Sequence, residues 1–261
     1  MRPGDTGRLS VTWLGHATVV LDVAGRRLVT DPLLLPHNGP LRRQVARPLD
    51  GHWERVDAVL LSHLHHDHAE LRSLRLMAGV PVLASPGNRS WLSRRGINAR
   101  AFDGWTSVGD VEVRLVEAIH HSRPMPHRPN DACGHLVRGA GLTVWVAGDT
   151  SLYDEMSSLP ALAGVERLDL AVVPIGGWGP RLSPGHMGPE EAATACARTR
   201  ARYALAYHWG TLSAPFTSRW GTWFNRPLEA FAEALGRAAP SCRVLRLRPG
   251  DAWTWESGEI V

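Results

Sequence analysis

The stretch Ser62-His63-Leu64-His65-His66-Asp67-His68 decides how the rest of the chain is read. It spaces metal-capable side chains as His-x-His-x-Asp-His. The apolar run Val56-Asp57-Ala58-Val59-Leu60-Leu61 precedes it and predicts a buried strand; Ala69 to Leu76 follows with an apolar stripe and predicts a helix. The motif therefore falls at the C-terminal end of a strand, where α/β proteins place their chemistry. His63 and His65 can turn to one side and share an ion. Asp67 and His68, expected in the first helical turn, can face a second. Imidazole and carboxylate donors suit Zn²⁺, with Mn²⁺ or Fe²⁺ also accommodated. A polar helix start capped by Asp67 is the plainer reading. It leaves the clustering of ligands behind an apolar strand unexplained.

The pattern His63-x-His65-x-Asp67-His68 resembles the signature of the metallo-β-lactamase superfamily. That resemblance implies an α/β fold, an αββα four-layer sandwich of two mixed sheets flanked by helices. It also implies a mono- or dinuclear metal site and, in most members, hydrolysis.

At 261 residues the chain has ample length to bury a core, and 44% hydrophobic with 21% charged residues is a soluble, globular composition. The net charge of +4 comes from scattered arginines, with no lysine. No basic block marks a nucleic-acid partner. Cys133, Cys196 and Cys242 are odd in number and far apart, which argues against a disulfide framework and a cysteine zinc site. Residues 1–10 lack an apolar leader core and no run is long enough to cross a bilayer, so a cytoplasmic protein is expected.

Leu9 to Leu14, Ala17 to Val23 and Arg27 to Thr30 predict an antiparallel meander. The wording Thr12-Trp13-Leu14-Gly15-His16-Ala17-Thr18, then Asp31-Pro32, is similar to one superfamily branch. That branch holds the N-acyl-phosphatidylethanolamine phospholipase D enzymes and the ascorbate-6-phosphate lactonases. Asp31 is expected to accept hydrogen bonds from the motif loop, with His16 packed behind it, rather than either touching metal. Leu33 to Trp53 reads as a long loop, with His37 and His52 on the surface.

Val80 to Ala84 predicts a strand, Gly87 to Arg95 a helix, and Val108 to Ile119 a strand turning at Gly109-Asp110 and ending in His120-His121-Ser122. The resemblance implies a third histidine ligand for the first metal here. The branch wording favours His120, with His121 as the alternative. His127 reads as an exposed loop residue. Cys133 to Val137 and Leu142 to Val146 predict a hairpin running into Gly148-Asp149-Thr150. A carboxylate after glycine at a strand end can approach both ions, and the family pattern makes Asp149 the bridging ligand. Asp169 to Pro174 is a strand, followed by His186-Met187-Gly188-Pro189-Glu190-Glu191-Ala192 at a helix start. Its likeness to the same branch implies that His186 lies beside the substrate, orienting a phosphate or donating a proton. Tyr203 to Tyr207 ends in His208-Trp209-Gly210-Thr211, and the resemblance makes His208 the last ligand of the second metal. The aromatic segment Phe216 to Phe224 either walls an acyl pocket and contacts lipid or closes the core. Pro227 to Arg237 is an amphipathic helix. Cys242 to Leu247 and Ala252 to Trp255 are expected to finish the second sheet.

The combined expectation is a single domain over residues 1–261. His63, His65 and His120 hold one zinc, Asp67, His68 and His208 the other, and Asp149 bridges. A metal-bound hydroxide is the nucleophile, oriented by Asp67 and assisted by His186 at the leaving group. The substrate is a phosphodiester or a small ester or lactone, either a small molecule or lipid-like. A lactonase of the ascorbate-6-phosphate type is the near alternative. A nuclease lacks a basic run, and a diiron redox protein would carry Glu at the position of His65.

Overall fold

Alternation sets the first strands. In β1 (Arg8–Gly15), Leu9, Val11 and Trp13 share one buried face, as period-two side chains do. β1 pairs antiparallel with β2 (Thr18–Val23), and β2 with β3 (Arg26–Thr30). Ala24 and Gly25, both at positive φ, close the second hairpin. The expected meander is therefore present. The computed structural model describes residues 7–120, 127–215, 217, 224 and 226–256.

Two short strands follow, β4 (His37–Asn38) and β5 (Leu41–Arg43), inside the segment expected to be a loop. The chain then alternates through β6 (Ala58–Leu60), α1 (Leu71–Leu76), β7 (Val82–Leu83), α2 (Pro86–Ser93) and β8 (Ala99–Arg100). β3, β6, β7 and β8 run parallel. The second half repeats the plan. β9 (Trp105–Val108), β10 (Val111–Glu117), β11 (Cys133–Gly139) and β12 (Leu142–Val146) form an antiparallel meander. Next come α3 (Leu159–Leu162), β13 (Leu170–Pro174), α4 (Pro189–Arg198), β14 (Tyr203–Tyr207), β15 (Leu212–Ser213), α5 (Pro227–Ala238), β16 (Arg243–Leu245) and β17 (Ala252–Glu256). β12, β13, β14 and β16 are parallel.

The result is two 7-stranded sheets, β17-β1-β2-β3-β6-β7-β8 and β16-β14-β13-β12-β11-β10-β9. Leu21 of β2, Val113 of β10 and Val172 of β13 meet between the sheets. Val20 and Val29 face outward onto Leu74 of α1 and Trp91 of α2. Trp145 and Val173 face outward onto Ala192 of α4 and Phe231 of α5. The layers are thus helix, sheet, sheet, helix, the αββα sandwich of the metallo-β-lactamase fold. α4 starts sharply: Pro189 fixes its first turn, and the Gly188 N–H donates to the Glu191 carboxylate at 3.0 Å.

Several expectations are corrected. β17 does not finish the second sheet. It pairs antiparallel with β1 in the first, because the chain crosses over at Gly250, whose N–H donates to the Trp13 carbonyl at 2.7 Å. The turn expected at Gly109-Asp110 is present, with Gly109 at φ +60, but it closes a β9–β10 hairpin whose first strand begins at Trp105 and whose second ends at Glu117. α1 begins at Leu71, so Asp67 and His68 lie in a separate turn closed by the His68 N–H on the His65 carbonyl at 3.1 Å. Of the aromatic segment, 216 and 218–223 fall outside the described residues, and Phe224 is buried.

Phe231 anchors α5 to the second sheet and is fully buried. Phe231→Ala should lower unfolding stability by about 3–5 kcal/mol, read as a shift in the urea midpoint at unchanged slope.

Candidate metal centre

Parallel strands place their C-terminal ends on one edge, and the polar residues of interest collect there. Asp31 follows β3, the motif loop follows β6, His120 follows β10, Asp149 follows β12, His186 lies between β13 and α4, and His208 follows β14.

The motif loop is fastened through Asp31, which is buried. Its Oδ1 accepts from the Ser62 N–H at 2.8 Å, and its Oδ2 from the Ser62 hydroxyl at 2.6 Å and His68 Nδ1 at 2.8 Å. This is the role expected for it. The Arg128 guanidinium donates to the Leu64 and Ala69 carbonyls at 2.9 and 3.3 Å, bracketing the loop. Asn130 holds the His120 carbonyl at 2.9 Å. His16, Asp31 and His208 all adopt the left-handed backbone region, with φ of 51°, 33° and 63°. Such conformations are costly for non-glycine residues and cluster at functional sites.

Donor atoms converge in overlapping groups. His63, His65 and His120 form one; Asp67, His68, His208 and His16 form another; Asp149 reaches His63 and His68, and also His120 and His186. Ring orientation follows from the nitrogen each histidine spends on the protein. His120 Nδ1 lies 2.8 Å from the Gly185 carbonyl and His208 Nδ1 2.9 Å from the Gly176 carbonyl. A carbonyl only accepts, so both Nδ1 atoms carry hydrogen and each Nε2 faces the site. His68 is set the same way by Asp31. His63 Nδ1 is 2.9 Å from the Ser62 hydroxyl, whose own hydrogen goes to Asp31. His65 instead presents Nδ1, 3.0 Å from His120 Nε2. Glycine is required at 185: a Cβ there would stand 2.7 Å from His120 Nδ1.

His63 Nε2 and Asp149 Oδ1 are buried and make no hydrogen bond. The Nε2 atoms of His68 and His208 approach to 3.0 Å. Each is bare when its ring is neutral, and two bare nitrogens at that distance repel unless a proton or cation lies between them. Oxygen comes from Asp149, with Oδ2 at 3.1 Å from His68 Nε2, 3.3 Å from His208 Nε2 and 3.2 Å from His186 Nε2. This imidazole and carboxylate set fits borderline divalent metals.

Burial pushes His63 well below its ordinary value, with His68 adding to the effect, and brings His120 to about 4 and His16 to about 3. Burial alone would raise the Asp67 and Asp149 carboxyls. The neighbouring histidines outweigh it, chiefly His68 for Asp67 and His208 for Asp149, and hold both well below the carboxylate range. Burial also opposes charge on His68, yet Asp149 and Asp67 raise it well above its usual value. His186 is raised against its own burial, mainly by Asp149.

The structure brings His63, His65, Asp67, His68, His120, Asp149, His186 and His208 to one edge. His121 lies outside the described residues. His37 and His127 are exposed and His52 is half-buried. Arg128 and Asn130 were not legible as site residues, because no local spacing ties them to the motif. His16 was expected only to pack, whereas its Nε2 sits 2.9 Å from Asp67 Oδ2.

The chain belongs to the beta-lactamase superfamily domain family, whose profile matches residues 26–209. It is a metal-dependent hydrolase of the metallo-β-lactamase fold. A UPF0173 metal-dependent hydrolase of Pyrococcus furiosus is 29% identical over 250 residues, covering 94% of this chain and 98% of that protein. An N-acyl-phosphatidylethanolamine-hydrolyzing phospholipase D of Caenorhabditis elegans is 27% identical over 233 residues, covering 78% of this chain and 64% of that one. The structure of Igni18, a metallo hydrolase from Ignicoccus hospitalis, superposes with a TM-score of 0.74 at 21% identity, over 95% of this chain and 99% of that one. Among the described residues no helix is long and apolar enough to cross a membrane.

The perturbed histidines predict a stability profile for chelator-treated protein. His16, His63 and His120 are lowered, so below pH 6.5 the unfolded chain binds protons that the folded chain refuses. Their contribution falls as pH drops from about 6.5 toward 4. His68 and His186 are raised, so their contribution is full below about 6.5 and is lost as pH climbs through their folded values. Urea midpoints should therefore peak near pH 6.5, and His120→Asn should flatten the acid limb.

Proposed function

We propose that this protein is a dinuclear zinc hydrolase whose substrate is a phosphodiester or a small ester or lactone. The observation that carries this reading is the pair of buried, unpartnered atoms His63 Nε2 and Asp149 Oδ1 among facing imidazole nitrogens. His63, His65 and His120 would hold one ion, Asp67, His68 and His208 the other, with Asp149 between them. Bound there, the zinc pair supplies Lewis acidity and a water of much lowered pKa, about 7 against 15.7.

The chain's own residues do the rest. Asp31, Gly176 and Gly185 fix which nitrogen each ring presents, so the donors need little rearrangement. Asp67, kept ionised by its histidines, accepts a hydrogen bond from the attacking water and orients it. His186 spends Nδ1 on the Ser183 carbonyl at 3.0 Å, which leaves Nε2 as the atom turned to the site. From there it hands a proton to the leaving oxygen. The loop from Gly176 to Gly185 also exposes Trp178 and Leu182. These offer a surface to an apolar arm of the substrate, in keeping with the phospholipase D named among the relatives.

Metal analysis of protein purified without chelator should approach two zinc equivalents per chain; saturation at one would sink the dinuclear reading. His208→Ala should weaken one ion and His63→Ala the other. A screen of bis-p-nitrophenyl phosphate, lactones and N-acyl phospholipids separates phosphodiester from lactone chemistry. Failure on all of them with both ions bound would reject the substrate assignment.

His186→Asn should lower kcat and kcat/KM together by about 10²–10⁴-fold on substrates with alkoxide leaving groups. The loss should shrink on p-nitrophenyl analogues, which leave without a proton. An equal loss on both would reduce His186 to a residue that positions the substrate.

A further inference from the structure

His16 sits at the tip of the β1–β2 hairpin, fully buried, and is held on every side. Its N–H donates to the Thr211 hydroxyl at 2.7 Å. Its carbonyl accepts from the Trp13 indole at 3.0 Å and from the His208 N–H at 2.9 Å. Its ring lies over that of His208, with centroids 4.0 Å apart and planes 35° from parallel. Nε2 stands 2.9 Å from Asp67 Oδ2, while Nδ1 has no partner. A carboxylate is the acceptor, so Nε2 carries the hydrogen. One residue thus grips Asp67 by its ring edge and His208 by its ring face and carbonyl. Its backbone, like that of His208, is in the left-handed region, a conformation that persists only where the surroundings over-determine it.

We infer that His16 is the positioning residue for the Asp67, His68 and His208 half of the centre, and that it sets how tightly that half binds its ion. The inference rests on the dinuclear reading proposed above. His16 flanks the donors and does not join them. Its Nε2 is committed to Asp67, whose Oδ2 stands 3.7 and 3.8 Å from the Nε2 atoms of His208 and His68.

The test compares two amides of similar polarity. In His16→Gln the amide nitrogen reaches the position of Nε2 and keeps a donor on Asp67; in His16→Asn it is one bond too short. Chelator competition with Zn²⁺ should show the weaker of the two ions bound about 10–100-fold less tightly in His16→Asn, with the other ion unchanged. His16→Gln should recover most of the loss. Stepwise Co²⁺ titration should show altered visible bands for one equivalent in His16→Asn and near-native bands in His16→Gln. His16→Phe, which keeps the ring face over His208, serves if His16→Asn does not fold. Equal affinities in all variants, or equal losses in Gln and Asn variants, would overturn the positioning role. So would X-ray absorption showing one histidine fewer around zinc in His16→Gln, since His16 would then be a ligand. A wild type that saturates with one ion would instead remove the dinuclear reading itself.

Discussion

The site depends first on one buried carboxylate. Asp31 accepts from the Ser62 N–H, the Ser62 hydroxyl and His68 Nδ1. Through that hydroxyl it also fixes His63, whose Nδ1 rests on Ser62 Oγ. One side chain therefore orients a ring in each half of the centre. A buried carboxylate costs several kcal/mol unless its lone pairs are filled, and here the motif loop fills them. The dependence is mutual: the loop cannot leave without stranding Asp31, and Asp31 cannot be lost without freeing both rings. Its left-handed backbone, φ 33°, is what turns the chain off β3 and under the loop.

The second constraint runs along the edge of the second sheet, past the ends of β14, β13 and β10. The segment from Gly176 to Gly185 touches an imidazole near each end, His208 at Gly176 and His120 at Gly185, both through carbonyl oxygens. His186 follows at once, and the capped start of α4 anchors it. A shift in this segment would therefore turn a ring in both proposed half-sites. The tight approach at Gly185 and the positive φ of Gly148, one residue before Asp149, show where the chain tolerates no side chain.

The local parts of this architecture were legible. The motif and the strand before it are contiguous in sequence, and their spacing survives folding; the later order of His120, Asp149 and His208 at strand ends was implied by the family resemblance. Asp31 was legible through its likeness to the branch wording at a strand end. What was not legible depends on tertiary contact. Arg128 reaches the Leu64 carbonyl across the fold, and the Gly176 and Gly185 carbonyls act through backbone that any sequence possesses. The alternating pattern of β17 predicts a strand but not which sheet it joins. The start of α1 was misplaced because Glu70 makes no capping hydrogen bond that a sequence pattern would announce.

The charge balance gives the arrangement its direction. Asp67 and Asp149 are held ionised at the bottom of the site, and Asp31 backs them. Burial drives the His63, His120 and His16 rings toward neutrality. His68 and His186 go the other way: His186 lies beside Asp149, and His68 touches three carboxylates, Asp31 at Nδ1, and Asp149 and Asp67 at Nε2, 3.1 and 3.8 Å away. A proton on His68 Nε2 thus supplies the positive charge that the carboxylates call for, at the atom proposed to face the second ion. Proton and ion compete for one nitrogen. Either one, the proton or the proposed ion, would offset the carboxylates buried together at this edge.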